Sequence, residues 1–135
     1  MNISEHPCKV YKDERGGLVQ VFKRSFIEKY QQDFGQVYFI TFNGSSVVRG
    51  NHYHLHQEES FCVAVGTVKI LLKDMATGES FEKIYTAQED SMCILSIGEN
   101  IAHTLISMSD FSLVLCFSTK EYEVENDDKY YYPLA

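Results

Sequence analysis

Short runs of β-branched and aromatic residues, each closed off by glycine, asparagine or aspartate, recur along almost the whole chain. That punctuation constrains the fold most, because runs this short suit strands better than buried helices. Residues 36–42 (Gln-Val-Tyr-Phe-Ile-Thr-Phe) are the strongest case, bounded by Gly35 and by Asn43-Gly44. Before them, residues 9–11 read as a short strand that turns at Asp13-Glu14-Arg15-Gly16-Gly17 into a second strand over 18–22. After them, 47–49 leads into a histidine-rich run, and 61–65 follows it and stops at Gly66. Residues 67–73 and 80–85 should pair as a hairpin around the loop 74–79. Further strands are expected at 92–95, 101–106 and 111–117, with a polar, tyrosine-rich tail behind the last. Only 25–32 reads as helix, one or two turns capped by Ser25. The expected fold is all-β: one domain over residues 1–135, two sheets facing each other as a jelly roll, with at most one short helix.

The balance of residues narrows the function. With 44% hydrophobic and 23% charged residues the chain has the composition of a folded domain, not of a disordered segment. A net charge of −7 argues against a nucleic-acid partner, and an anionic ligand would need a local basic pocket, for which Arg49 is well placed. Residues 1–6 lack the basic and apolar pattern of a signal peptide, and no apolar stretch is long enough to span a bilayer, so a cytoplasmic protein without membrane insertion is expected. Cys62, Cys93 and Cys116 lie inside apolar runs, and with Cys8 they form no CxxC pair, which suits buried thiols better than bridges or zinc knuckles. His6 reads as an exposed terminal residue.

The chemistry concentrates in residues 49–59, Arg-Gly-Asn-His-Tyr-His-Leu-His-Gln-Glu-Glu. In an extended strand His52, His54 and His56 would share one face, and three groups that titrate near neutrality make a poor core face. A site is the better reading. The set His52, His54, Glu59 and His103 also offers three imidazoles and a carboxylate, a donor set suited to a divalent metal. Strict alternation puts Glu58, not Glu59, on the histidine face, so Glu59 as a ligand requires a bulge or turn between them.

These residues carry a resemblance. A His-x-His run, a carboxylate after it and a later histidine on another strand resemble the cupin superfamily, here Gly50-Asn51-His52-Tyr53-His54, Glu58 or Glu59, and Gly98 to His103 without the usual proline. The resemblance implies a double-stranded β-helix. Asp13-Glu14-Arg15-Gly16-Gly17-Leu18, Val37-Tyr38-Phe39-Ile40, Arg49 to His54 and Lys120-Glu121-Tyr122 are similar to segments of the dTDP-4-keto-6-deoxyglucose 3,4-ketoisomerases. Parts of the same pattern resemble the C-terminal cupin of capsular-sugar epimerase/reductases and the dTDP-4-dehydrorhamnose 3,5-epimerases.

What the resemblance implies is an isomerase acting on a nucleotide-sugar substrate in lipopolysaccharide or capsule biosynthesis, working as a homodimer. His52, His54 and Tyr38 would be catalytic, and Arg49, His103 and Tyr122 would bind substrate. No cofactor would be required. No metal is expected for the ketoisomerase reading; if one is present, it would sit on His52, His54, Glu59 and His103, and His56 would be structural or at the pocket rim. The alternatives are C3 or C3,5 epimerisation of a similar substrate, and a non-catalytic cupin that binds a sugar or a metal.

Overall fold

The computed structural model describes residues 1–26, 33–88 and 90–135. Among the described residues eleven strands form two antiparallel sheets. They are β1 (Ile3–Asp13), β2 (Gly16–Val19), β3 (Gln36–Phe42), β4 (Val48–Tyr53), β5 (Glu59–Val65), β6 (Thr67–Asp74), β7 (Ser80–Thr86), β8 (Ser91–Ile97), β9 (Ile101–Ser107), β10 (Ser112–Ser118) and β11 (Tyr130–Tyr131). The six-stranded sheet runs β2-β1-β8-β5-β10-β3 and the five-stranded sheet β11-β4-β9-β6-β7. This is the expected double-stranded β-helix, and the strands over 36–42, 61–65, 67–73, 80–85, 92–95 and 101–106 form at or within a residue or two of the expected bounds. Among the described residues there is no α-helix, only a 3-10 turn at Val124–Asn126, and no helix long and apolar enough to cross a membrane.

The alternation of each strand builds the core. Phe61 and Val63 of β5, Leu95 and Ile97 of β8 and Val114 of β10 face Val68, Ile70 and Leu72 of β6 and Ile101 and Leu105 of β9 across the space between the sheets. A second apolar group, Cys8, Cys62 and Ile94, lies apart from this core and is packed by Val19, Val21, Phe22 and Phe26.

That second group explains two departures from the sequence reading. The strand expected over 18–22 ends at Val19, and Phe22 takes the left-handed region at φ 53°, as the chain folds Val21 and Phe22 over Cys62 and Ile94. The helix expected over 25–32 falls mostly outside the described residues; Ser25 and Phe26 lie in a turn. β1 is far longer than residues 9–11. It pairs with β8 through Pro7, beyond the four residues that β2 covers, so the proline's missing N–H needs no partner on that side. His6 is consequently not an exposed terminal group: it sits within β1, half-buried, with its ring stacked 4.1 Å from that of Phe26.

The tail is structured as well. Behind β10 the chain returns so that β11 pairs with Tyr53 and His52, and Asn51 accepts from the backbone N–H groups of Leu134 and Ala135. Lys73 donates to the Tyr132 hydroxyl at 3.0 Å. Thr104 of β9, buried although it faces away from the core, donates to Asn51 Oδ1, the same atom that accepts from residues 134 and 135.

Candidate active site

The histidine run is not one straight strand. Gly50 has φ 97°, Asn51 has φ 59°, and the pairing of β4 with β9 slips between Gly50 and His52. Gly50 is required twice over, since a Cβ there would also lie 2.6 Å from the His103 carbonyl oxygen. β4 then ends at Tyr53, and residues 54–58 turn back before β5. His52 and His54 stay together, with ring centroids 4.9 Å apart, but His56 swings out to the surface. The expectation that all three share a face therefore holds for two. The same turn brings Glu59, not Glu58, inward, where it is buried.

β9 adds His103, paired directly with His52 and 2% exposed. Its ring lies 4.6 Å from that of His52 and 5.4 Å from that of His54. One ligand atom from each of His52, His54, Glu59 and His103 falls within 4.8 Å of the others. From β3, the Tyr38 hydroxyl donates to Glu59 Oε2 at 2.6 Å.

Each imidazole is oriented through its Nδ1. His52 bonds the Gly50 carbonyl at 3.1 Å, His103 the Ile101 carbonyl at 3.2 Å and His54 the Asp128 carbonyl at 2.5 Å. Carbonyls only accept, so every Nδ1 carries the proton and every Nε2 is left for the interior. Glu59 Oε1 lies 2.6 Å from His54 Nε2 and 3.4 Å from His103 Nε2, yet it accepts no hydrogen bond of good geometry. Two occupants satisfy such an atom: a second proton on His54, or a cation shared by the four side chains. The donor set and its spacing fit a divalent metal.

The electrostatics sort the rings. Burial, together with the neighbouring His103 and His54, lowers the His52 pKa to about 4. Burial also lowers that of His103. For His54 burial acts the same way, but Glu59 and Asp128 outweigh it and raise the pKa. Glu59 is lowered to about 2 against its own burial by His103, His54 and Tyr38. Burial and the adjacent carboxylate raise the Tyr38 phenol, which remains protonated. At neutral pH His52 is thus an uncharged base, while the Glu59 carboxylate beside it favours the protonated form of His54.

The remaining candidates lie elsewhere. Arg49 is exposed, donates to the Thr41 carbonyl at 3.1 Å and rests 5.7 Å over the Phe42 ring. Tyr122 and His56 line a surface pocket of about 760 Å³ together with Lys120 and several carboxylates. Sequence reading overlooked Asp128, which holds His54 and the turn behind it. Nothing in a tail of acidic and tyrosine residues marks it.

Comparison with known proteins gives the family and the fold. Residues 11–130 match the family described as the polysaccharide biosynthesis C-terminal domain. The chain belongs to that family. It is 27% identical over 122 residues to UDP-2-acetamido-2,6-beta-L-arabino-hexul-4-ose reductase of Pseudomonas aeruginosa, covering 90% of this chain but only 30% of that protein. Among solved structures, a histidine-to-asparagine variant of the 3,4-ketoisomerase QdtA from Thermoanaerobacterium thermosaccharolyticum, in complex with TDP-4-keto-6-deoxyglucose, superimposes with a TM-score of 0.76 at 21% identity, covering 96% of this chain and 86% of that one. The dTDP-4-dehydrorhamnose 3,5-epimerase of Bacillus anthracis gives a TM-score of 0.80 at 14% identity, covering 96% of this chain and 78% of that one. As a member of the polysaccharide biosynthesis C-terminal domain family, the chain shares its fold with both.

Proposed function

We propose that this protein is a sugar-nucleotide isomerase that moves the keto group of a dTDP-4-keto-6-deoxyhexose from C4 to C3 during surface-glycan biosynthesis. The observation that carries the reading is the placement of an uncharged, half-buried His52 4.9 Å from the His54 ring, whose Nε2 lies 2.6 Å from the buried Glu59 carboxylate. Moving a ketone needs a base for the adjacent C–H and a positive group for the charge that appears on oxygen. His52 Nε2 takes the C3 proton, and the C–H electron pair becomes the C3=C4 bond of an enediolate. The His54 imidazolium stabilises the enediolate oxygens and passes protons between them, with Tyr38 and Glu59 as its relay. Return of a proton at C4 leaves the ketone at C3, with no change of oxidation state and no cofactor.

The orphaned Glu59 Oε1 favours a second reading, in which His52, His54, His103 and Glu59 hold a divalent metal. Such an ion would polarise a carbonyl oxygen of the bound sugar. Under either reading we propose a homodimer. Among the described residues β3 pairs only with β10, leaving a sheet edge whose Val37 and Phe39 are 53% and 65% exposed.

The test is incubation of the protein with dTDP-4-keto-6-deoxyglucose in D2O, with and without chelator, followed by NMR. Deuterium at C4 of a 3-keto product supports the proposal. Deuterium at C3 or C5 with the 4-ketone retained makes the protein an epimerase, and loss of activity with chelator selects the metal reading. No exchange under any condition overturns action on this dTDP sugar and leaves another nucleotide sugar or a binding cupin. Sedimentation at micromolar concentration decides the homodimer.

A further inference from the structure

Two of the three imidazoles are anchored by their own strand. His52 and His103 each bond the carbonyl two residues earlier, so the strand that places the ring also orients it. His54 differs. It lies past the end of β4, and its Nδ1 partner is the carbonyl of Asp128, 74 residues further along the chain.

Asp128 also reaches the turn that follows His54. Its carboxylate accepts from the Leu55 N–H at 3.0 Å and from the His56 N–H at 2.6 Å. Residues 54–58 belong to no strand, so without those bonds two consecutive donors of the turn would have only water. One residue thus fixes both the ring and the backbone that carries it. Asp128 is in turn held against β4, because Tyr130 pairs with Tyr53, the Tyr132 N–H donates to the Asn51 carbonyl at 2.7 Å, and the Asn51 side chain binds residues 134 and 135.

We propose that Asp128 is the positioning residue for His54. The carboxylate clamps the turn at residues 55 and 56, which keeps the Asp128 carbonyl on Nδ1 and aims Nε2 at Glu59. The catalytic consequence rests on the proposed isomerase function, whereas the geometric one does not.

Two readouts on Asp128→Ala and Asp128→Asn separate these. In proton NMR the Nδ1–H of His54 should be a slowly exchanging downfield resonance in the unaltered protein and should vanish in Asp128→Ala, while that of His103 persists as an internal reference. Under the assay above, Asp128→Ala should lower kcat ~10–100-fold with KM little changed, as for other residues that orient a functional imidazole. Asp128→Asn keeps one acceptor oxygen and should show a smaller loss in both. A variant that keeps the His54 resonance and the original kcat overturns the inference, and if Asp128→Ala does not fold, Asp128→Asn alone decides by the same criterion. Should the unaltered protein turn over no sugar nucleotide, the function falls, and the resonance still decides whether Asp128 positions His54.

Discussion

β9 and β4 lie side by side and each brings imidazole to the same carboxylate, yet they do so by opposite means. β9 is regular, sits between β4 and β6 and is covered on both faces, so His103 is fixed by packing that the strand would have in any case. β4 has a left-handed residue, a slipped register and an early end, and what it lacks in regularity is supplied by the tail that pairs with it. The difference teaches that a ring carried within a strand is oriented by that strand, while a ring past the strand's end, buried as His54 is, requires separate scaffolding.

Four measurements would break or sharpen this comparison. Glu59→Gln should have the largest effect, because it removes the charge that both strands address and leaves His54 without its ionic partner. Loss of one member of a buried pair costs about 3–5 kcal/mol, measurable by chemical denaturation. An unchanged midpoint would mean that the two halves do not meet at Glu59.

Gly50→Ala comes next, at about 3 kcal/mol from a strained φ and the clash with the His103 carbonyl. Gly78→Ala is its control, since that φ is also positive, at 79°, but the space around it is open. Equal losses for the two would mean that the close approach of β4 to β9 adds nothing to the cost.

The third concerns pH. His52 has a folded-state pKa of about 4, below its ordinary 6.5, so in that window the unfolded chain binds the extra proton and stability falls as the solution is acidified. His103 acts in the same direction. The raised His54 works the other way: its contribution is complete below its ordinary value and is lost as pH rises through the folded one. Glu59, held at about 2 against an ordinary 4.5, adds to the fall at the acid end of the window, because the unfolded chain takes up that proton first. The melting temperature should therefore drop between pH 6.5 and 4, and His52→Gln should flatten the drop; an equally steep drop in the variant would refute the assignment to His52.

Lys73→Met should be smallest, about 0.5–1 kcal/mol for one hydrogen bond to Tyr132. Its value is as a calibration of how tightly the tail holds β4. A loss several times larger would mean that the tail is part of the core instead of an addition to it.

How much of this was legible depends on the range of the interaction. The strands of the core could be read because alternation is local, and His103 with them. Tyr38 was readable as a site residue only through resemblance, and its bond to Glu59 was not readable at all, since β3 and β5 are not neighbours in their sheet. Alternation named Glu58 for the site, and the turn over residues 54–58 gave it to Glu59, while the same turn took His56 away. β1 was underread because Pro7 and its charged neighbours hide a strand whose open side tolerates them. β11 and Asp128 carry no local signal at all, as their role exists only against β4.

The separation of His54 from Asp128 has a consequence for the order of events during folding. Every strand of the core precedes residue 119, so the two sheets can close before residues 119–135 are docked. At that stage His52 and His103 already face each other, but His54 has no acceptor and its turn has no clamp. His54 is oriented only once residues 128–132 dock on β4, so two sheets folded without that segment would hold His52 and His103 in place and leave His54 unfixed.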